Sequence, residues 1–192
     1  YRQSVGITEA HFELGPAAGV ALSGSGLGFG GGASGFFMLD STFGFGGILR
    51  LYLFNQTTVE KESYIVFSTQ GIETVTTNDS DSSLEFVPAI KLKLGGNPLE
   101  PYLLAGAGLA SLSAAETTAY SYSNGLPAGV NPNPGFSYSG SKIFPVLALG
   151  IGLELKLDPN LRLFLETRGD LILGTYGSST LLPLEGGVNF NL

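Results

Sequence analysis

Hydrophobic and polar side chains alternate along most of this chain, the period expected when successive residues point to opposite faces of a strand. Over residues 12–22 the even positions are Phe12, Leu14, Pro16, Ala18, Val20 and Leu22. The odd positions interleaved with them carry Glu13, Gly15, Ala17, Gly19 and Ala21, preceded by His11. The same split recurs over 27–39, 43–53, 84–94, 99–109, 143–155, 161–173 and 182–192. Eight antiparallel strands are predicted, each with one greasy face and one face of small or charged residues. A sheet with such faces closes most simply into an up-and-down barrel spanning the whole of 1–192 as a single domain.

The faces decide which side is inside. Seven cations (Arg50, Lys91, Lys93, Lys142, Lys156, Arg162, Arg168) and eight acids (Glu9, Glu13, Glu85, Glu100, Glu154, Glu166, Asp170, Glu185) fall on the small-residue face. A soluble barrel would turn its greasy face inward and coat itself with glycine, a poor solvated surface. Leucine outward and glycine inward suit a narrow barrel in lipid. Composition agrees. Hydrophobic residues make up 43% of the chain and mean hydropathy is +0.26, yet only 13% of residues are charged, about half the share of an ordinary soluble domain. No apolar run reaches the roughly 18 residues of a membrane helix, which leaves the closed barrel as the way to cross a bilayer. The chain opens at Tyr1 without a basic and then apolar leader, as expected of a mature exported protein.

Turn signals alternate in spacing. Short links are predicted at 23–26, 40–42, 95–98, 158–160 and 174–179, rich in Gly, Asp, Asn and Pro. Long ones are predicted at 55–83 and 113–141. With the N-terminus periplasmic, the three tight turns at 40–42, 95–98 and 158–160 face the periplasm and the long loops face outward, the asymmetry of outer-membrane barrels. Within the first long loop, 64–77 has the composition of either a loop or a hairpin standing above the membrane. Residues 125–135, with Pro127, Pro132 and Pro134, read as irregular loop.

Three stretches resemble the OmpA-like outer-membrane β-barrel family. LALGIGLELKLDPNLRLFLETRG (147–169) looks like its penultimate hairpin: a Gly-x-Gly strand, an Asp-Pro-Asn turn and a strand with an inward Glu. LEPYLLAGAG (99–108) is similar to its Pro-Tyr and Gly-x-Gly strand, and EGGVNFNL (185–192) to its barrel-assembly signal, with Leu192 where the family prefers an aromatic. The resemblance implies a small porin-like barrel in the bacterial outer membrane and is silent about activity.

Candidate chemistry is sparse. With no cysteine there is no disulfide or thiolate chemistry, and a net charge of −7 argues against nucleic acid. His11, the one histidine, reads as a lumen residue near Glu9 and Glu13; a lipid A deacylase of the small-barrel type needs Ser two residues after its His, and Glu13 stands there. The glycines of 26–30 imitate a phosphate loop without a strand–helix unit around them. Asn78, Asp79, Ser80 and Asp81 offer oxygens for Ca²⁺ but read as a solvated tip, and Asn55-Gln56-Thr57 is a glycosylation sequon in form only. No cofactor or catalytic constellation is expected.

The inward charges matter most. Near balance of sign predicts mutual pairing, which buried charges require, whereas a selective channel shows a ring of one sign. The network expected is Arg50, Glu85, Lys91, Lys93, Glu100, Glu154, Lys156, Arg162, Glu166, Arg168 and Asp170, with Lys93 directly opposite Glu100 across the 95–98 turn. A filled lumen moves function to the outward loops. Tyr120, Tyr122, Phe136 and Tyr138 there form either a binding surface for an extracellular or envelope protein or packing for the rim. The expected role is a structural or interaction barrel whose constant partners are outer-membrane lipids. A narrow pore is the alternative, and a lipid-modifying enzyme a third.

Overall fold

The computed structural model describes residues 10–66, 69–96, 98–122, 136–174 and 177–192. Each alternating segment is a strand: β1 (His11–Ser23), β2 (Gly26–Met38), β3 (Phe43–Val66), β4 (Thr69–Lys93), β5 (Leu99–Tyr122), β6 (Phe136–Lys156), β7 (Leu161–Gly174) and β8 (Gly177–Asn191). Every strand pairs antiparallel with the next, and β8 returns to β1, so the ring is closed. The seam is bonded in both directions, Phe12 N–H donating to the Leu192 carbonyl at 3.2 Å and Leu192 N–H to that of Phe12 at 2.8 Å.

The ladder registers fix the width of the bore. A path across the strands from Glu13 runs through Phe36, Gly46, Ala89, Gly106, Ala148, Asp170 and Leu181. Leu181 lies one step beyond the Leu22–Leu182 pair, so the path re-enters β1 level with Ser23, ten residues further on. A shear of ten over eight strands means a tilt of about 40° and an interior that side chains can fill.

The alternation decides what fills it. Leu149 is 69% exposed and Phe29 66%, and a belt of Leu, Phe and Ile covers the outside. Arg50, Glu85, Glu154 and Asp170 are buried. Water cannot solvate such a belt cheaply, whereas acyl chains can, and with the ring closed no backbone edge faces them within the paired band. This is a transmembrane β-barrel. Glycine makes room for the larger lumen side chains on neighbouring strands: a Cβ added at Gly152 would lie 2.2 Å from the Tyr102 ring, and one at Gly28 would lie 2.5 Å from that of Phe54.

Two sequence expectations are corrected. First, 55–83 and 113–141 are mostly not loops. β3 and β4 pair without interruption up to Val66 with Thr69, and β5 and β6 pair as far out as Thr118 with Phe136. Threonine and valine favour the extended chain here, and polar side chains bridge the strands: Thr57 to Asn78 at 2.9 Å and Ser80 to Asn55 at 3.0 Å. The extra-membrane hairpin therefore forms. β3 to β6 stand as a four-stranded sheet beyond the outer ends of β1, β2, β7 and β8. The proline-bearing stretch 125–135 lies outside the described residues.

Second, the register at the β4–β5 turn is shifted by two. Lys93 is opposite Tyr102, and Leu94 N–H donates to the Pro101 carbonyl at 2.8 Å. Gly95 and Gly96, at φ of 77° and 146°, swing the chain wide. Pro98 has no N–H to offer β4, and its carbonyl accepts from Lys156 of β6 at 3.0 Å. A shift of two keeps both charges facing inward but removes the expected Lys93–Glu100 pairing.

Candidate functional site

The bore is crossed by two layers of ion pairs. In the layer towards the tight turns, Glu13 and Glu154 alternate with Lys91 and Lys93 in a square. Lys91 reaches Glu13 at 2.9 Å and also contacts Glu154, and Lys93 reaches Glu154 at 2.8 Å and also contacts Glu13. Glu154 accepts further from Arg162 at 3.0 Å and Asn189 at 2.7 Å. Arg162 also bonds Glu100, and His11 lies 3.4 Å from Glu13. Glu9 lies outside the described residues.

In the second layer Arg50 Nε donates to both oxygens of Glu185, at 2.8 and 2.7 Å, and the Tyr52 hydroxyl donates to the same carboxylate at 2.7 Å. Arg168 holds Asp170 at 2.7 and 2.9 Å and Glu85 at 3.2 Å. The Tyr102 hydroxyl donates to Glu166 at 2.8 Å. The remaining Glu166 oxygen faces Arg168 Nη1 at 3.6 Å, within ion-pair but not hydrogen-bond range. Lys91 lies 4.6 Å from the centre of the Tyr102 ring and so links the layers.

Register explains why the pairs run across the bore. Glu100 is directly opposite Glu154, and Glu166 opposite Glu185. Like charges in direct opposition repel, and cations from other strands neutralise them: Arg162 bridges the first pair, while Arg50 holds Glu185. Ten of the eleven predicted network residues meet in this assembly. The eleventh, Lys156, does not. It is the last residue of β6, one step beyond Glu154 on the inward row, where it reaches water and makes no ion pair among the described residues. Lys142, further out along the same row, is also exposed.

Tyr52, Tyr102 and Asn189 were not singled out from the sequence. Their inward parity was visible, but their partners depend on register. The Asn78–Asp81 cluster is split by strand alternation. Asp79 and Asp81 share the inward face of β4 and Asn78 and Ser80 the other, so the four cannot converge on one ion; among the described residues no group of three acids or histidines is placed to hold a metal. The glycines of 26–30 lie in β2. By register Tyr120, Phe136 and Tyr138 share the inward face of the protruding sheet, with Phe136 and Tyr138 exposed, and the Tyr122 side chain lies outside the described residues.

Above the second layer the bore opens into a vestibule of about 450 Å³. Its floor is carbon: Phe54, Leu112, Phe144, Ile172 and Leu181. The β1–β2 turn leans over it, where the Ser25 hydroxyl donates to Asp81 at 2.5 Å.

No protein-family model matches the chain, and no curated protein matches its sequence. Among solved structures it is similar to Ail, the attachment invasion locus protein of Yersinia pestis, in complex with the heparin analogue sucrose octasulfate. Identity is 14% and the TM-score 0.49, over 96% of this chain and 100% of that one. Neisserial surface protein A matches with 14% identity and a TM-score of 0.48, over 96% and 98%. The N-terminal β-barrel domain of Pseudomonas aeruginosa OprF matches with 17% identity and a TM-score of 0.46, over 96% and 98%.

Proposed function

We propose that this outer-membrane barrel is a non-enzymatic anchor that presents the sheet of β3–β6 to partners outside the cell. The observation that carries this reading is the filled bore. Five buried cations (Arg50, Lys91, Lys93, Arg162, Arg168) are matched with carboxylates drawn from six strands. An aqueous path would have to part these pairs, and each buried charge left alone costs several kcal/mol. With the passage closed, the surface left for recognition is the outward sheet, where Phe136 and Tyr138 offer exposed aromatic area of the kind interfaces use. The apolar belt takes the acyl chains of outer-membrane lipids as its constant partner, and the tight turns lie on the periplasmic side.

Two measurements test this. Purified protein in planar bilayers gives no resolved conductance steps. Cross-linking in native outer membrane captures a protein partner that is lost when Phe136 and Tyr138 are both replaced by Ser. Discrete conductance steps from the unaltered protein establish the pore instead, and capture unaffected by the double substitution places recognition elsewhere.

A further inference from the structure

We infer that the outer vestibule is a binding site for a small water-borne amphiphile with an anionic head and an alkyl or aryl body. This goes beyond the role of the outward sheet and shares with that reading only the closed bore. A cavity of about 450 Å³ is within the size range of small-molecule sites, which are concave, mostly apolar and furnished with a few polar groups. The floor of Phe54, Leu112, Phe144, Ile172 and Leu181 offers carbon to whatever enters. Below it the bore is shut by the ion-paired layers, so the site is blind and is filled from outside.

Charge gives the head group its sign. Two side chains charged at neutral pH line the cavity, Asp81 and Lys142. Asp81 already accepts from the Ser25 hydroxyl at 2.5 Å. Lys142 makes no ion pair among the described residues, and it stands at the rim two residues above Phe144 on the same inward row of β6. A carboxylate or sulfate at Lys142 would place its tail along Phe144 towards Ile172 and Leu181. A cationic head would meet the exposed ammonium at the entrance instead.

The chain has no tryptophan, so Tyr138→Trp puts a single reporter on the cavity wall. In lipid nanodiscs, octanoate is expected to shift this emission saturably with one site. Lys142→Glu, a change at an exposed position, is expected to weaken octanoate roughly five- to tenfold while leaving the neutral analogue octanol unchanged. Ala114→Phe, which fills the cavity from its exposed wall, abolishes the shift for both. Emission that drifts linearly with octanoate, as simple partition into lipid would give, overturns the site. Equal octanoate affinity with Lys142→Glu overturns the assignment of the head group. Retained heat-modifiable mobility on gels confirms that each variant is folded.

Discussion

Removing Arg50 asks whether the plug is dry. Its Nε makes two charge-assisted bonds to Glu185, at 2.8 and 2.7 Å, and both side chains are 1% exposed. Bonds of this kind are worth about 1.5–3 kcal/mol each. Arg50→Met leaves the Glu185 carboxylate with the Tyr52 hydroxyl as its remaining donor among the described residues. The expected destabilisation is about 3–5 kcal/mol, the usual cost of orphaning one member of a buried pair. Glu185→Gln alone strands the guanidinium, whose other contact is the Leu49 carbonyl at 3.1 Å, and costs a similar amount. The double variant keeps an amide oxygen for Tyr52 and buries no charge at either position. It is expected to be at least about 2 kcal/mol less damaging than the two single changes added together. Equilibrium urea unfolding in lipid vesicles, read from tyrosine emission and gel mobility, measures all three. Single effects below about 1 kcal/mol that simply add would mean that water screens both groups. The closed bore, and with it the anchor reading, would then fail.

Three further outcomes follow from the geometry. Leu149, 69% exposed at the middle of the apolar part of β6, should cost roughly 2–4 kcal/mol when changed to Arg; a neutral result in the same vesicles would put that face against protein or water. Gly152→Ala places a methyl carbon 2.2 Å from the Tyr102 ring, so it should break the Tyr102–Glu166 bond and cost about 1–3 kcal/mol; an unchanged near-ultraviolet tyrosine spectrum would contradict this. At the β2–β3 turn, N–H groups of Phe43 and Thr42, each 2.7 Å from the Asp40 carboxylate, hold its pKa below the ordinary range. A folded value below the unfolded one means the turn's support is full above the unfolded value and is lost as pH falls through the folded one. Carbon-detected titration by NMR checks this, and an Asp40 midpoint at or above that of a model peptide rejects it.

Much of this was legible in the sequence because a period of two is a strong signal and charges obey it. Glu85, Lys91 and Arg168 sit on the inward rows where parity put them, and the apolar rows face out. Parity is blind to any shift of two: nothing in Gly95–Pro98 shows that Pro98 bonds β6 or that Lys93 meets Tyr102. Partners such as Arg50 and Glu185 lie 135 residues apart and are set by the accumulated shear of several ladders. The outward extension of β3–β6 is faint in the sequence for a different reason, with 64–77 compatible with either a loop or a hairpin. Runs such as 76–83 carry hydroxyls or an amide on one face and acids or hydroxyls on the other, so hydrophobic alternation vanishes where the lipid ends although strand pairing continues.

The seam between β1 and β8 carries a kinetic consequence. Because the first and last strands are neighbours, the ring has no end from which a strand can fray, and losing any one strand breaks two ladders at once. Melting should therefore be all-or-none rather than stepwise. Assembly meets the converse difficulty. The contact that completes the ring is among the most distant in sequence, so its loop-closure entropy falls due late. Until β8 docks on β1, both strands carry bare N–H and C=O groups that hydrocarbon will not accept. A half-built ring is poorly tolerated in lipid, which favours insertion and closure as one concerted event.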